Sequence, residues 1–422
     1  MCEDLYTAQC TTLGTLSLAK VCVNHQQLLA GCGYIQIRFA LAALAATGAF
    51  AQSSVTIKGT FDPSVANTST TYANGASVSN TFVRNNSQGT SQITFLGTED
   101  LGGGLKASFL LENDFDTRFD ANGQDGVSAT GTRGVNLGSG GGEQWLGLSG
   151  GFGNIQIGSA NTPSLSVQGS RQPYGTKIGS GFNSVLGTGH VRSNNSVVYT
   201  APTFAGLTVS AAYGFQNNAA NTPATGAVEM ATTNTGAPST VGKNDANSAS
   251  ITDIGLMYAN GPLAAGVSFW NTAAVQGTTT PAASQTNLFA SYDLGVAKLI
   301  AGYHAEKQDA YISSARPAGI DANSYNIAAT VPLNAALTLS ANFGKLTDNL
   351  AARAATPLNK SIAAVGVKFE LSKRTSVYAR YVSETNDNTD TAFAASVTGS
   401  TATLANSTAS IKTSLVGIQH NF

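Results

Sequence analysis

Four cysteines and four histidines are the residues whose types could hold a transition metal or act as nucleophile and base. Cys2, Cys10, Cys22 and Cys32 all fall at the very start of the chain, while His190, His304 and His420 lie far apart, so no group has the short ligand spacing of a zinc site. The glycine-rich run Gly138 to Gly142 is not closed by Gly-Lys-Ser/Thr and no helical pattern follows it, which excludes a phosphate-cradling loop. Glu112, Asp114, Asp116 and Asp120 could attract calcium, but their spacing is not that of a calcium loop. No nucleophile, base and orienting acid form a catalytic set. The chemistry-bearing residues thus predict neither an enzyme nor a metal or cofactor, and the function must lie in the elements that carry them.

Those elements belong to an unusual chain. Its 422 residues include 22 basic and 23 acidic ones, a charged fraction of 11 %, less than half the ~25 % of a soluble domain. Mean hydropathy is nonetheless +0.01, because 46 glycines and many small polar residues replace the missing charges. No apolar run reaches the ~18 residues of a membrane helix. A net charge of -1 gives no basic face for nucleic acid.

Residues 39–48, Phe-Ala-Leu-Ala-Ala-Leu-Ala-Ala-Thr-Gly, follow Arg38 and precede Ala49-Phe50-Ala51. A short apolar run with a small-x-small end is the pattern of a secretory signal, predicting cleavage between Ala51 and Gln52. Residues 1–51 are therefore expected to be leader and 52–422 the working domain. The first ~34 residues are longer than a signal needs and fit a start site set too far upstream or, alternatively, an extended signal. After cleavage no cysteine remains, so disulfides do not hold the exported domain together.

From Ser54 onward the period is two. Val55, Ile57 and Phe61 alternate with Thr56, Lys58 and Thr60, and Leu207, Val209, Ala211 and Tyr213 alternate with Thr208, Ser210 and Ala212. Leu299, Ala301 and Tyr303, and later Val365, Val367, Phe369 and Leu371, repeat the pattern. Each segment is a strand with one apolar and one wet face. About sixteen such segments occur. Short turns such as Glu99 to Gly104, Gly150 to Gly153 and Ser372 to Arg374 alternate with long polar stretches at 62–90, 113–142, 216–250 and 384–410. That layout predicts an all-β, 16-stranded antiparallel transmembrane β-barrel, with short periplasmic turns and long extracellular loops. In hydrocarbon every backbone group needs a partner, and a closed sheet supplies one without an edge. A ring of this size leaves a water-filled lumen. Trp145, Trp270 and several tyrosines are expected in the interfacial girdles.

Gly97-Thr98-Glu99-Asp100-Leu101-Gly102-Gly103-Gly104-Leu105-Lys106-Ala107 resembles the first tight turn and third strand of the general porins of beta-proteobacteria. Leu146 to Gly153 is similar to the next short turn of that family, Arg192 to Tyr199 with Pro202 and Phe204-Ala205-Gly206 to the strand after its third loop, and Gly417 to Phe422 to its C-terminus. The resemblance implies an outer-membrane homotrimer of diffusion channels passing inorganic ions and small solutes, set in lipid and lipopolysaccharide. Terminal Phe422 resembles the signal read by the barrel assembly machinery. The resemblance also implies that the third loop, about Ala160 to Val191, folds inward and narrows the pore. On that basis the constriction residues are Arg171 and Lys177 of the loop, facing Glu112 and Arg192 of the wall, with Lys106 and Arg380 as further polar-face members. Gln92, Leu96 and Ser159 stand where the family commonly has basic residues, and Gly142-Glu143-Gln144-Trp145 lacks an arginine often found there. The expected channel is only weakly ion-selective. A substrate-specific channel, a secreted β-rich adhesin and a barrel enzyme are the competing readings; the adhesin would require a fixed repeat of ~20–30 residues, which the chain does not show.

Overall fold

The computed structural model describes residues 54–72, 75–115, 117, 142–181, 192–215, 250–273, 282–308, 320–351, 359–386 and 408–422. The leader, with Ala51 and Gln52, lies outside them, as do Asp116, Asp120 and His190.

Among the described residues, eighteen strand segments form one antiparallel sheet. β1 (Ser54–Phe61) and β2 (Pro63–Tyr72) are two halves of one stave, bent at Asp62. β3 (Ser77–Asn85) and β4 (Gln92–Gly102) are halves of the next, because β2 pairs with β3 and β1 with β4. The others are single: β5 (Leu105–Asp114), β6 (Gln144–Gly150), β7 (Gly153–Asn161), β8 (Arg192–Thr200), β9 (Leu207–Gly214), β10 (Ile251–Asn260), β11 (Leu263–Thr272), β12 (Ala283–Asp293), β13 (Lys298–Gln308), β14 (Ile320–Pro332), β15 (Leu337–Asp348), β16 (Lys360–Glu370), β17 (Thr375–Asn386) and β18 (Thr408–Asn421). The result is a ring of sixteen staves. β18 closes it by pairing with β2 and with Thr60 and Phe61 of β1. Phe422 and Gly59 then exchange backbone hydrogen bonds of 3.1 and 3.2 Å.

The outward face carries the apolar residues. Leu146 is 64 % exposed, Ile157 61 %, Ile327 58 % and Val416 63 %. So much bare apolar surface is stable only against lipid. Connections of two to six residues at one rim alternate with those spanning 115–143, 162–191, 215–250 and 387–407 at the other.

Two expectations are corrected. Residues 62–90 are not a long loop: β2 and β3 occupy most of the stretch and pair antiparallel, and the Tyr72 N–H donates to Ala76 O at 2.8 Å. Thr, Ser and Asn supply both faces of β2, so no apolar phase marks it, although β-branched threonine suits a strand. The tryptophans are not girdle residues. Trp270 is 4 % exposed beside Ile251 and Ala283, and Trp145 packs against Ala160, Val198 and Ala212. Their neighbours Phe269 and Leu146 hold the outward phase, so both indoles face inward. Tyr213, Phe215 and Tyr292 do face outward.

Candidate functional site

The connection after β7 starts with Thr162, whose side chain accepts the Leu165 N–H and caps a short helix, α1 (Pro163–Gln168). Proline at the first helical position costs no hydrogen bond there. A 3-10 turn (Gly169–Arg171) follows. This segment lies against β10, β11 and β12 rather than beyond the rim.

Polar stitches hold it to the wall. The backbone and hydroxyl of Ser164 donate to the two oxygens of buried Asp253 at 2.9 and 2.8 Å. Gln168 Nε2 donates to the carbonyls of Leu288 (3.2 Å) and Tyr303 (2.7 Å), and Val167 packs on Phe289 and Ile300. Asn326 Nδ2 donates to Gln172 Oε1 at 2.6 Å and to Asn342 Oδ1 at 3.0 Å, and Asn342 Nδ2 to Gly179 O at 3.1 Å. The Tyr174 hydroxyl donates to Ser340 O at 2.7 Å. Burial pushes that phenol up to about 12, with Arg380 pulling it back, so it remains a neutral donor.

Arg380 closes the row. Its guanidinium stacks over Tyr174 at 3.9 Å and donates to the carbonyls of Ile178 and Ser87 and to Gln88 Oε1. Glycine lets backbone and wall approach here. Gly179 has φ +86°, and a Cβ on it would meet Arg380, Val382 and Ala364 at 3.0–3.1 Å; one on Gly366 would meet Tyr174 Oη at 3.1 Å.

Ser87 and Gln88 belong to a second inward fold. Residues 86–91 bulge between β3 and β4, gathered by Asp62, whose carboxylate accepts the N–H groups of Gln88 (2.6 Å) and Gly89 (2.8 Å) and the Tyr378 hydroxyl. Lys177 Nζ reaches this fold, donating to Thr90 Oγ1 at 2.6 Å.

The opposing wall supplies charge. Glu112 Oε2 accepts from Gln92 Nε2 at 2.6 Å and Thr94 Oγ1 at 3.4 Å, while its other oxygen faces the Glu143 N–H at 3.4 Å. Glu143 accepts from Asn161 N at 2.9 Å and Trp145 Nε1 at 3.3 Å. Arg192 lies 3.9 Å from Asp114, each about a quarter exposed, and donates to Asn161 Oδ1 at 3.3 Å. Lys177 interacts electrostatically with Asp114, Asp62, Arg192 and Arg84. Burial holds its ammonium below the ordinary 10.5, and the two aspartates offset part of that. Burial likewise raises Glu143 above 4.5; the Asn161 hydrogen bond opposes the rise and Glu112 adds to it.

Of the expected constriction residues, Lys177, Glu112 and Arg192 come together here, joined by Asp114, Glu143 and Arg84. Arg171 sits farther along the loop, 5.8 Å over the Phe289 ring. Arg380 is 4 % exposed and clasps the loop from beneath. Lys106 lies near the short-turn rim, opposite Asp100 and Ser149 and away from the cluster. Phe422 is half-exposed, its ring 6.1 Å from Phe61. Sequence reasoning passed over Asp62, Asp253 and Glu143; acids on or beside alternating strands of so charge-poor a chain were the available signal. Glu112 and Asp114 each have a protein partner, and among the described residues no three His, Cys, Asp or Glu side chains gather to hold a metal.

A closed antiparallel ring of sixteen staves, apolar outside and narrowed by an inward loop, defines a transmembrane channel protein. The pattern of the Gram-negative porins matches residues 39–389. The chain is 32 % identical over 305 residues to outer membrane porin protein 32 of Delftia acidovorans, covering 70 % of this chain and 75 % of that one. It is 27 % identical over 312 residues to an outer membrane porin protein of Bordetella pertussis, covering 67 % of this chain and 74 % of that one. Among solved structures, the anion-selective porin from Comamonas acidovorans superposes with a TM-score of 0.64 at 26 % identity, over 88 % of this chain and all of that one. The chain belongs to the Gram-negative porin family: it is an outer-membrane porin whose barrel forms a diffusion channel, and it is not an enzyme.

Proposed function

We propose that this porin passes small hydrophilic solutes and inorganic ions through an aperture bounded by the loop at 162–181, the inset at 86–91 and the wall of β5–β8, with weak ion selectivity. The observation that carries the proposal is the mixed charge where the loop meets the wall: Lys177 of the loop with Arg192 and Arg84, against Glu112, Asp114 and Glu143. Opposed charges set a field across the aperture, while their near balance leaves little preference of sign. The Comamonas relative is described as anion-selective; here Gln92, Leu96 and Ser159 add no positive charge to tip the balance. Reversal potentials in planar bilayers under a KCl gradient test this. A small value of either sign is expected, and one near the limit of a strongly selective channel refutes it.

The working unit is a homotrimer. Supporting this, the outward face of β2, β3 and β18 carries a polar patch among its valines: Asn67, Thr81 and Ser414 are exposed beside Val65 and Val416, with Asn67 Nδ2 donating to Thr81 Oγ1 at 2.8 Å. Such a face suits a neighbouring subunit better than acyl chains. Conductance steps in threes and a trimer mass in native detergent extracts are expected; single, independent steps argue for a monomer. The outward Phe422 fits recognition by the barrel assembly machinery, and the remaining wall faces lipid and lipopolysaccharide.

A further inference from the structure

We propose that His304, Glu306 and Gln285 form a binding site for a divalent transition-metal ion, zinc being the reference case, on the lumen wall at the long-loop side of the aperture. His304 and Glu306 lie two residues apart on β13, so both point inward, and Glu306 is two residues from the strand's long-loop end.

The imidazole's state is set by its neighbours. Asn287 Nδ2 donates to Ser268 Oγ at 3.0 Å, which turns Asn287 Oδ1 toward His304 Nδ1 at 2.7 Å. An acceptor oxygen there requires the proton on Nδ1, so Nε2 is the ring atom left to meet a cation, whether a proton or a metal ion. A side-chain oxygen fixing Nδ1–H is the usual support of a metal-binding histidine. The residue is 2 % exposed, and Nε2 has no hydrogen-bond partner. It faces Glu306 Oε2 at 3.6 Å.

That pair is suited to share a cation: a proton on Nε2 makes it an ion pair, and a metal ion can take both atoms as ligands. The separation is beyond a hydrogen bond, so a proton on Nε2 does not bridge it well. Bonds of roughly 2.0–2.2 Å to nitrogen and oxygen put two tetrahedral ligands about 3.4 Å apart, close to what is seen. Gln285 stands directly across from Glu306, its carbonyl oxygen buried and without a hydrogen-bond partner; Ser324, across from His304, has an equally unpartnered hydroxyl. Orphaned polar atoms on three adjacent strands mark a place built for something polar. Glu306, 23 % exposed, is the ligand an ion meets first from the lumen. Bound metal would add two positive charges beside α1 and shift the channel toward anions.

Trp270 pairs directly with Gln285 and provides a local reporter. Zinc is titrated calorimetrically into the detergent-solubilised porin, and Ni²⁺ quenching of Trp270 is followed in a Trp145→Phe background. One saturable site per chain is expected, weakened about tenfold or more by His304→Ala, Glu306→Gln and Asn287→Ala, and unaffected by His420→Ala. In bilayers, zinc shifts the reversal potential toward anions in the parent and not in Glu306→Gln. That variant alters a partly exposed side chain, so it carries the test if His304→Ala does not assemble. The proposal is overturned if zinc binding is absent or indifferent to both ligand variants, or if acidification alone reproduces the shift with no saturable metal binding.

Discussion

Lys177 is the loop's member of the charged cluster, and burial has already lowered its affinity for a proton. Neutralising it (Lys177→Gln) should move the reversal potential toward cations, and Arg192→Gln should do the same; both are read in a KCl gradient. Glu143 has the opposite sign and a carboxyl raised by burial. As pH falls from 7, it takes up a proton before an ordinary glutamate would, the aperture becomes more positive, and anion preference rises. Glu143→Gln should show that preference already at neutral pH and lose the first part of the acid response. At the alkaline end, Lys177 loses its proton below the usual 10.5 and the channel drifts toward cations. A reversal potential flat with pH across both limbs would contradict these assignments.

Among the elements, the inward loop is anchored at its start by a six-residue helix and farther on by Arg380, which reaches the Ile178 carbonyl and stacks on Tyr174. Arg380→Ala removes charge-assisted hydrogen bonds worth about 1.5–3 kcal/mol each and leaves the Ile178 and Ser87 carbonyls without their donor. Larger, noisier single-channel currents are expected; an unchanged noise spectrum would show that the loop is held without the clasp. Gly366→Val should act similarly, by pushing Tyr174 off the wall. The strands themselves were largely legible: alternation located β5, β9, β13 and β16 within a few residues. β2 and β3 were not, since Thr, Ser and Asn on both faces remove the apolar phase. The phase at Trp145 and Trp270 was misread because an aromatic near a strand end suits either face. At the site, Glu112, Lys177 and Arg192 were reached through the resemblance to the porins, which marks the third loop and the wall positions facing it, and not through the alternation. The Asp62–Tyr378 contact, 316 positions apart, and the Asn326–Gln172 stitch were hidden, because a polar residue on a strand looks the same whether it meets water or a folded-in loop. Only closure of the ring puts such pairs together.

For the whole molecule, lipid outside and water inside account for the composition. Half of each strand can be small and polar, and stability comes from the closed hydrogen-bonded ring rather than from a packed core or disulfides. The four cysteines precede residue 52, so the barrel offers a cysteine-free background for probing the lumen. The decisive measurement is the single-channel conductance of Lys177→Cys before and after a bulky, negatively charged thiol reagent added from the aqueous phase. With the loop folded into the water-filled ring, labelling should lower the current in discrete steps and turn the residual selectivity toward cations. Complete labelling, confirmed by mass, with the conductance unchanged would contradict the account, because Lys177 would then lie away from the path that ions take.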